Sequence, residues 1–317
     1  MNITLGVVMD PIENINYKKD STLAMLWAAQ DQGWEIFYIT ADQLFLENGI
    51  AKANAHKLTV FRDPKKWFEK STMTTIVLGE LDTLLMRKDP PFDNEFIYNT
   101  YILEAAEKQG CLVVNKPSSL RDCNEKIFAT HFPHCCPEVL VSANAAHLKQ
   151  FHIDHKDVIF KPLDGMGGSQ IFRLKQDDPN VSVIIETLTL EGRQTIMAQK
   201  FIPEISMGDK RILIVDGKPM PYALARIPAK GETRGNLAAG GSGVPIPLNK
   251  RDYWICEQVI PSLQEKGLLF VGLDVIGDYL TEINVTSPTC IRELNDAHNL
   301  DIAGQLINAI DIKLKTK

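Results

Sequence analysis

The chain has 317 residues, of which 44% are hydrophobic and 23% are charged, and its net charge is -6 at pH 7. This composition is typical of a globular protein and excludes a disordered or fibrous chain. The acidic balance argues against a nucleic-acid-binding protein, which would need a basic footprint, and against a polybasic membrane surface. A chain of this length can bury a large core in two or three lobes.

The N-terminal segment MNITLGVVMD lacks the basic region of a signal peptide, and no window is long and apolar enough for a membrane span. Six cysteines without the spacing of a disulfide framework indicate reduced thiols and a cytoplasmic protein. His131, His134, Cys135 and Cys136 are close enough in sequence to suggest zinc. Adjacent cysteines make a poor tetrahedral clamp, so a structural role is favoured for these four residues.

Strand and helix patterns alternate over the first third of the chain. The segments ITLGVVMD, WEIFYIT and CLVVN indicate strands, and residues 21–32 indicate a helix that ends at Gly33. A longer helix begins after the cap Asp93 and ends at Gly110. This alternation predicts a parallel sheet covered by helices, as in a Rossmann-like lobe. The sequence lacks the glycine fingerprint of a dinucleotide site, so NAD is not assigned.

The pattern changes at NKPSSLRDCNEK, which places a boundary near residue 122, and antiparallel hairpins interleaved with helices then indicate an α+β region. One of these hairpins contains Lys161 and a glycine-rich turn with Gly165, Gly167 and Gly168. Glycines let backbone amides approach phosphate oxygens, and a lysine can bind phosphate as a point charge. A plain hairpin turn is the alternative, because a strand follows the turn where a P-loop would continue into a helix.

Arg211 and Arg226 flank an Asp216-Gly217 turn in the next hairpin. A tight turn there would place Arg211 opposite Tyr222, with Arg226 on the same face about 14 Å farther along. Two guanidinium groups on one face could bind an anionic substrate or a phosphoryl group in transfer. The alternative is a solvated strand face with incidental arginines.

Residues 227–243 are rich in glycine and have no apolar period. Such a segment inside a compact enzyme predicts a lid that excludes water from reactive intermediates, and a disordered linker is the alternative. Closure of this lid would bring Arg234 to the site.

The segment VGLDVIGDYLTEINVTSPT sets Asp274 on one strand and places Glu282 and Asn284 at alternate positions on the next. Side chains two apart on a strand share a face, and carboxylate and amide oxygens suit Mg²⁺. A tight two-residue turn would pair Asp274 with Thr281, so the metal interpretation predicts a three-residue turn with a glycine bulge that pairs Asp274 with Glu282. An ordinary hairpin with solvated acids is the alternative.

Two further basic residues are weaker candidates. Lys126, on the helix that opens with RDCNEK, is by itself typical of a surface lysine. Arg87, at the end of a predicted sheet strand, lies where open α/β sheets tend to place ligands.

The ordered motifs are MDPI, MRKDPPFD, NKPSSLRDCNEK, KPLDGMGG, GDKR, ARIPAKGETRGNLAAGG and GLDVIGDYLTEINVTSPT. Together they resemble the bacterial glutathione synthetases, which are ATP-grasp ligases, over nearly the whole chain. The resemblance implies a Rossmann-like domain over residues 1–122 and an ATP-grasp region over 123–317. In that region, about 123–200 would cover ATP, and about 201–317 would bind metal and substrate, with the lid at 227–243.

The resemblance also implies roles for individual residues. The residues implied to bind ATP are Lys126, Lys161, Gly165, Gly167, Gly168, Gln199, Phe201, Ile202 and Asp209. Those implied to bind Mg²⁺, or Mn²⁺ in its place, are Asp274, Glu282 and Asn284. The implied catalytic residues are Arg211, Arg226 and Arg234, and the implied dipeptide contacts are Arg87 and Ser287.

The implied reaction joins γ-glutamylcysteine to glycine through an acyl phosphate, with ATP as cosubstrate. Phosphoryl transfer depends mainly on alignment and charge neutralisation, which agrees with a chain that shows no serine or cysteine nucleophile motif. The family suggests a homo-oligomer, in particular a tetramer, and no nucleic-acid or membrane partner. Two alternatives remain: another ATP-grasp ligase, such as one that joins D-alanines, and a nucleotide-binding regulator without catalysis.

Overall fold

The computed structural model describes residues 3–165, 167–231, 235 and 240–316 of the chain. Within this part of the chain the strands form three sheets, which follow one another in sequence. None of the helices described combines the length and apolar character needed to cross a bilayer.

The first sheet is built from the N-terminal third of the chain. Its strands are β1 (Thr4–Met9), β2 (Glu35–Ile39), β3 (Leu44–Glu47), β4 (Ile50–Val60), β5 (Phe68–Lys70), β6 (Thr74–Val77), β7 (Thr83–Arg87) and β8 (Leu112–Val114). The main strand order is β3-β4-β2-β1-β7-β8, and β5 and β6 both pair with β4. Helices α1 (Ser21–Asp31) and α2 (Asn94–Lys108) are capped by the side chains of Asp20 and Asp93. Both helices and the three strand segments are therefore confirmed.

The predicted parallel sheet is confirmed for four strands, and an antiparallel extension was not predicted. Strands β2, β1, β7 and β8 are parallel, but β4 runs antiparallel to β2 and also pairs antiparallel with β3, β5 and β6. The turn between β3 and β4 is Asn48-Gly49, and both residues have positive φ. Asn-Gly is the preferred sequence for a tight hairpin turn, so the sequence carried this signal and we overlooked it.

Two short helices lead to the second sheet, which is antiparallel. These helices are α3 (Pro117–Asp122) and α4 (Glu125–Ala129). The strands are β9 (Val139–Ser142), β10 (Val158–Pro162), β11 (Phe172–Leu174) and β12 (Ile196–Lys200), in the order β11-β10-β12-β9. Helices α5 (Ala145–His155) and α6 (Val181–Leu188) pack on this sheet and share a small core with it. The predicted hairpin around the glycine-rich turn is β10 and β11.

The third sheet is antiparallel and positions most of the charged residues discussed below. Its strands are β13 (Asp209–Val215), β14 (Lys218–Ile227), β15 (Ser242–Pro247), β16 (Phe270–Ile276) and β17 (Tyr279–Asn284), in the order β15-β14-β13-β16-β17. The helices of this region are α7 (Lys250–Glu265), α8 (Ile291–His298) and α9 (Ile302–Thr316). Both hairpins predicted here are present.

The register of each hairpin departs from the expected one because each contains a bulge. Arg211 pairs with Leu224 rather than Tyr222, since the ladder shifts between Ile212 and Ile214. The predicted separation of about 14 Å between the two arginines along the strands is therefore wrong. Asp274 does pair with Glu282 as expected.

The bulge that produces this pairing was predicted at the wrong place. The turn Gly277-Asp278 has two residues, with Ile276 paired with Tyr279. The extra residue is Thr281, whose hydroxyl donates to the Asp274 carbonyl at 3.1 Å.

The N-terminal and C-terminal parts of the chain are tied together by one asparagine and by a shared core. Asn115 accepts hydrogen bonds from the backbone N–H of Leu269 (2.7 Å) and Phe270 (2.9 Å) and donates to the carbonyls of Phe270 and Val285, both at 2.8 Å. Helix α9 lies in the same hydrophobic core as β1 and α1. The first and third sheets are thus held in a fixed relation.

Candidate active site

A cavity of about 360 Å³ is lined by strands of the second and third sheets, by α4 and by a segment that follows β7. Most of the residues singled out in the sequence line it. They are Lys126, Lys161, Gly165, Gly167, Gly168, Gln199, Phe201, Ile202, Asp209, Arg211, Arg226, Asp274, Glu282, Asn284 and Ser287. The fold therefore gathers into one cavity residues that are as far apart as positions 126 and 287.

Four charged side chains form a row across neighbouring strands of the third sheet. Arg211 and Arg226 both bind the Asp274 carboxylate, with N–O distances of 3.0 Å and 2.8 Å to Oδ2, and Arg226 also binds Asp209. The four side chains, which we call the charge row, are all largely buried. Both arginines line the cavity, and the buried Nε of Arg226 has no hydrogen-bond partner among the described residues.

The charge row sets opposite pKa shifts on its two acids. Burial would raise the pKa of Asp274, but the guanidinium groups of Arg211 and Arg226 hold it below its usual value. For Asp209, burial dominates over its single partner Arg226 and raises the pKa to about 6. Oδ1 of Asp209 is buried without a hydrogen-bond partner in the described part of the chain, so this oxygen can accept one more bond.

Two lysines lie near Glu282, which pairs with Asp274 of the charge row. Lys126 donates to the carbonyl of Gly165 at 2.9 Å, and the Nζ atoms of Lys126 and Lys161 lie 3.5 Å and 3.7 Å from Glu282 Oε1. The expectation of a surface position for Lys126 is wrong, because its side chain is only 5% exposed. Burial lowers the pKa of Lys161. Two buried cations with one shared carboxylate leave positive charge available for an anionic ligand.

The predicted metal ligands share one wall of the cavity. Asn284 donates its amide N–H to the Gly272 carbonyl at 3.1 Å, which leaves its oxygen as the free acceptor. Among the described residues, Glu282 is held by the two long lysine contacts. Asp274 has fewer acceptor sites left for a metal ion. Its oxygens already accept from two arginines, and a carboxylate has about four acceptor sites. The donor set of two carboxylates and one amide fits Mg²⁺ bound through one or two protein ligands and phosphate oxygens.

Arg87 lies outside the cavity lining. Its guanidinium group donates to the Thr22 hydroxyl at 3.1 Å and to the Pro288 carbonyl at 2.9 Å. Its side chain therefore holds the loop that contains Ser287 against the first sheet, and a direct contact with substrate stays a prediction. Ser287 lines the cavity, and its hydroxyl is 3.4 Å from the Arg87 carbonyl oxygen.

The central part of the predicted lid at 227–243 lies outside the described residues. Arg234 and the neighbouring positions 232, 233 and 236–239 belong to that undescribed part of the chain. Gly235 is described and lines the cavity. A Cβ atom on Gly235 would lie 2.4 Å from the Arg226 carbonyl oxygen, so the backbone can approach Arg226 only with glycine at this position.

Sequence reasoning missed three acidic residues that line the described cavity, which are Glu125, Asp89 and Asp164 of the KPLDGMGG motif. Glu125 is half-buried, and one of its oxygens accepts from the backbone N–H groups of Val285 (2.9 Å) and Thr286 (3.1 Å) and from the Thr286 hydroxyl (2.8 Å). Asp89 follows β7 and lines the cavity as well. The DPP motif after Arg87 and Lys88 was the available signal for Asp89, whereas nothing local marks Glu125.

The cluster of histidines and cysteines shows packing contacts. Cys135 is buried, and the Cys136 thiol donates to the Ala129 carbonyl at 3.1 Å. Burial raises the pKa of Cys136 to about 12, so this thiol stays protonated.

Comparison with known proteins gives full-length relatives. Residues 3–121 match the family model for the N-terminal domain of prokaryotic glutathione synthetase, and residues 125–299 match the model for its ATP-grasp domain. A glutathione synthetase of Pseudomonas putida is 62% identical over 317 residues, which is 100% of both chains. One from Pseudomonas aeruginosa is 60% identical with the same coverage. Among solved structures, the D-cycloserine synthetase DcsG has a TM-score of 0.67 at 12% identity, covering 98% of this chain and 99% of that one. The fold is therefore the ATP-grasp fold.

Proposed function

Because the chain belongs to the prokaryotic glutathione synthetase family, we propose that it joins γ-glutamylcysteine to glycine at the expense of ATP, giving glutathione, ADP and phosphate. The carboxylate of the cysteinyl residue takes the terminal phosphoryl group of ATP, and the glycine amine then displaces phosphate. The chain is thus an ATP-dependent carboxylate-amine ligase that acts on small molecules.

The observation that carries this proposal is the charge row beside the two buried lysines. Arg211 and Arg226 are fixed by Asp274 before any substrate binds, so their positive charge requires no rearrangement when the phosphoryl group moves. Such preorganised charge is usually the largest contribution to this type of catalysis. Arg234 is the third cation proposed for the transfer.

The proposed nucleotide site combines the second sheet with Lys126 of α4 and Asp209 of the third sheet. Lys126 and Lys161 bind the phosphates, and the glycine loop of Gly165, Gly167 and Gly168 covers them. The segment of Gln199, Phe201 and Ile202 meets the adenine, and Asp209 accepts from the ribose. The buried free oxygen of Asp209 supports a hydroxyl contact there.

Asp274, Glu282 and Asn284 are the residues proposed to hold Mg²⁺, with Mn²⁺ as the alternative ion. When bound, the ion neutralises charge on the ATP phosphates and helps to align them. The chain holds two carboxylates and one amide oxygen on adjacent strands, close to the Nζ atoms of Lys126 and Lys161.

The proposal includes three parts of the chain with separate tasks. Residues 1–122 form the N-terminal domain, about 123–200 cover the nucleotide, and about 201–317 bind metal and substrate, with the lid at 227–243. The family resemblance also supports a homo-oligomer, in particular a tetramer, which light scattering would test.

Phosphate release tests the function directly. The purified chain with ATP and Mg²⁺ should release phosphate when γ-glutamylcysteine and glycine are both added, with glutathione formed in equal amount. Release with D-alanine in place of both would indicate a different ATP-grasp ligase. Nucleotide binding without release under any of these conditions would indicate a regulator.

A further inference from the structure

The N-terminal domain contributes Asp89, Pro90 and Phe92 to the described lining of the cavity, and Asp89 is the charged residue among them. Its backbone is held on both sides. The N–H of Asp89 donates to Asp10 Oδ2 at 2.9 Å, and Lys88 donates to the Asp89 carbonyl at 2.9 Å and pairs with Asp10 at 2.8 Å. These contacts join the C-terminal ends of β1 and β7, so the position of Asp89 is fixed by two strands of the first sheet.

The other acids that line the described cavity already have partners. The six lining carboxylates are Asp89, Glu125, Asp164, Asp209, Asp274 and Glu282. Glu125 accepts from Val285 and Thr286, and Asp164 accepts from Asn124 at 3.3 Å. Asp209 and Asp274 pair with arginines, and Glu282 faces two lysines. The Asp89 carboxylate has no hydrogen bond or ion pair with a described residue.

Asp89 is an exposed residue of the cavity lining, so its carboxylate is open to a cationic ligand, and the proposed dipeptide carries a cationic group. γ-Glutamylcysteine has a primary ammonium group on its glutamyl end, with three hydrogen-bond donors and no acceptor. The cations that the chain presents to the cavity match phosphate and carboxylate groups. An acidic side chain without a hydrogen bond or ion pair of its own suits this ammonium group, and Asp89 is the lining acid of that kind among the described residues.

We propose that Asp89 binds the α-ammonium group of the γ-glutamyl residue and so selects the dipeptide by that end; this inference rests on the proposed function. The reacting carboxylate belongs at Arg211 and Arg226. Seven bonds separate its carbon from the ammonium nitrogen, which corresponds to roughly 8 Å in an extended substrate. The substrate then spans from the third sheet to the first.

The surrounding loop supports this orientation. Arg87, two residues before Asp89 in the chain, donates to the Pro288 carbonyl at 2.9 Å. The residues beside Pro288, which are Ser287 and Thr289, line the same cavity. One turn thus fixes both Asp89 and two hydroxyl groups at the end of the cavity that faces the N-terminal domain.

The test compares two substrates in three forms of the full-length enzyme with ATP, Mg²⁺ and glycine. The substrates are γ-glutamylcysteine and glutarylcysteine, which lacks only the ammonium group. The wild type should prefer γ-glutamylcysteine in kcat/KM by at least tenfold, which is about 1.4 kcal/mol. Asp89→Asn should lose at least tenfold on γ-glutamylcysteine, mainly through KM, and little on glutarylcysteine, so the preference should fall to within about threefold. Asp89→Glu should recover part of the preference.

Glu95→Gln is the matched control, because Glu95 is an exposed acid six residues farther along that does not line the cavity. It should keep the wild-type preference. The assignment of Asp89 would be overturned if Asp89→Asn kept the wild-type preference for γ-glutamylcysteine over glutarylcysteine. It would also be overturned if this variant raised the KM for glycine and not the KM for γ-glutamylcysteine. Failure of the wild type to form glutathione at all would instead reject the proposed function.

Discussion

The charge row and the glycine loop, on opposite walls of one cavity, reach their positions by different means. The charge row lies on three paired strands, and its members bind one another, as in the contact of Arg226 with both Asp209 and Asp274. The glycine loop is a turn between β10 and β11, and Lys126 holds it through the Gly165 carbonyl. The first wall is therefore preorganised by the sheet, whereas the second depends on a side chain that a ligand can compete for.

The largest effect is expected where the charge row itself is broken. Arg226→Lys keeps the positive charge but provides a single ammonium group, which cannot bind two carboxylates and a transferring group in the fork geometry of arginine. We expect kcat to fall by about 10²–10³, the usual cost of one preorganised donor. Single-turnover phosphate release measures this step.

Arg62→Lys is the control, because Arg62 forms a surface ion pair with Asp31. It should leave kcat within about twofold of the wild type. A normal kcat in Arg226→Lys would show that the charge row serves stability and takes no part in the chemistry.

The segment between β14 and β15 should decide whether the intermediate meets water. Deletion of residues 230–241 should uncouple ATP hydrolysis from ligation, because an acyl phosphate hydrolyses readily once water reaches it. The ratio of phosphate released to glutathione formed should rise from one to well above one. A ratio that stays at one in the deletion variant would remove the lid role.

Lys126→Met should act on the other wall of the cavity. It removes a phosphate contact and also releases the Gly165 carbonyl, so the nucleotide loses both a charge and an ordered loop. We expect ADP affinity, measured by calorimetry, to fall by about tenfold or more, since a charge-assisted hydrogen bond contributes about 1.5–3 kcal/mol. Lys66→Met removes an exposed lysine and should leave the affinity unchanged. If affinity is normal and only kcat falls, Lys126 acts on the reaction and not on binding.

Local signals in the sequence predicted the elements of both walls, but not their final geometry. Asp216-Gly217 and the glycine-rich turn located two hairpins, because a turn is specified by the residues within it. The bulges at residues 212–214 and at Thr281 shifted the register, and they depend on which strands pair across the sheet. The burial of Lys126 was missed for the same reason, since its contacts with Gly165 and Glu282 join segments distant in sequence.

Asp209 provides the smallest and most specific test, because it belongs to the charge row but has a single partner there. Its pKa in the folded protein, about 6, lies above the value of 3.8 for a free aspartate. The folded state then binds more protons than the unfolded state between these two values, so the stability contributed by this group decreases as pH rises through that window and is constant above it. Asp209→Asn removes the titration. Its stability relative to the wild type should therefore rise by about 1–3 kcal/mol between about pH 4 and 6, and then level off.

Urea denaturation of the nucleotide-free protein across this pH range measures the difference, and the slope isolates the titration from the constant loss of the Arg226 ion pair. Asp216→Asn is the matched control, because Asp216 forms an exposed ion pair with Lys313 at the tip of the hairpin that β13 begins. It should show little change of relative stability with pH. A pH-independent difference for Asp209→Asn would mean that Arg226 neutralises Asp209 as fully as it does Asp274, and that the charge row is a single balanced unit without a weaker member.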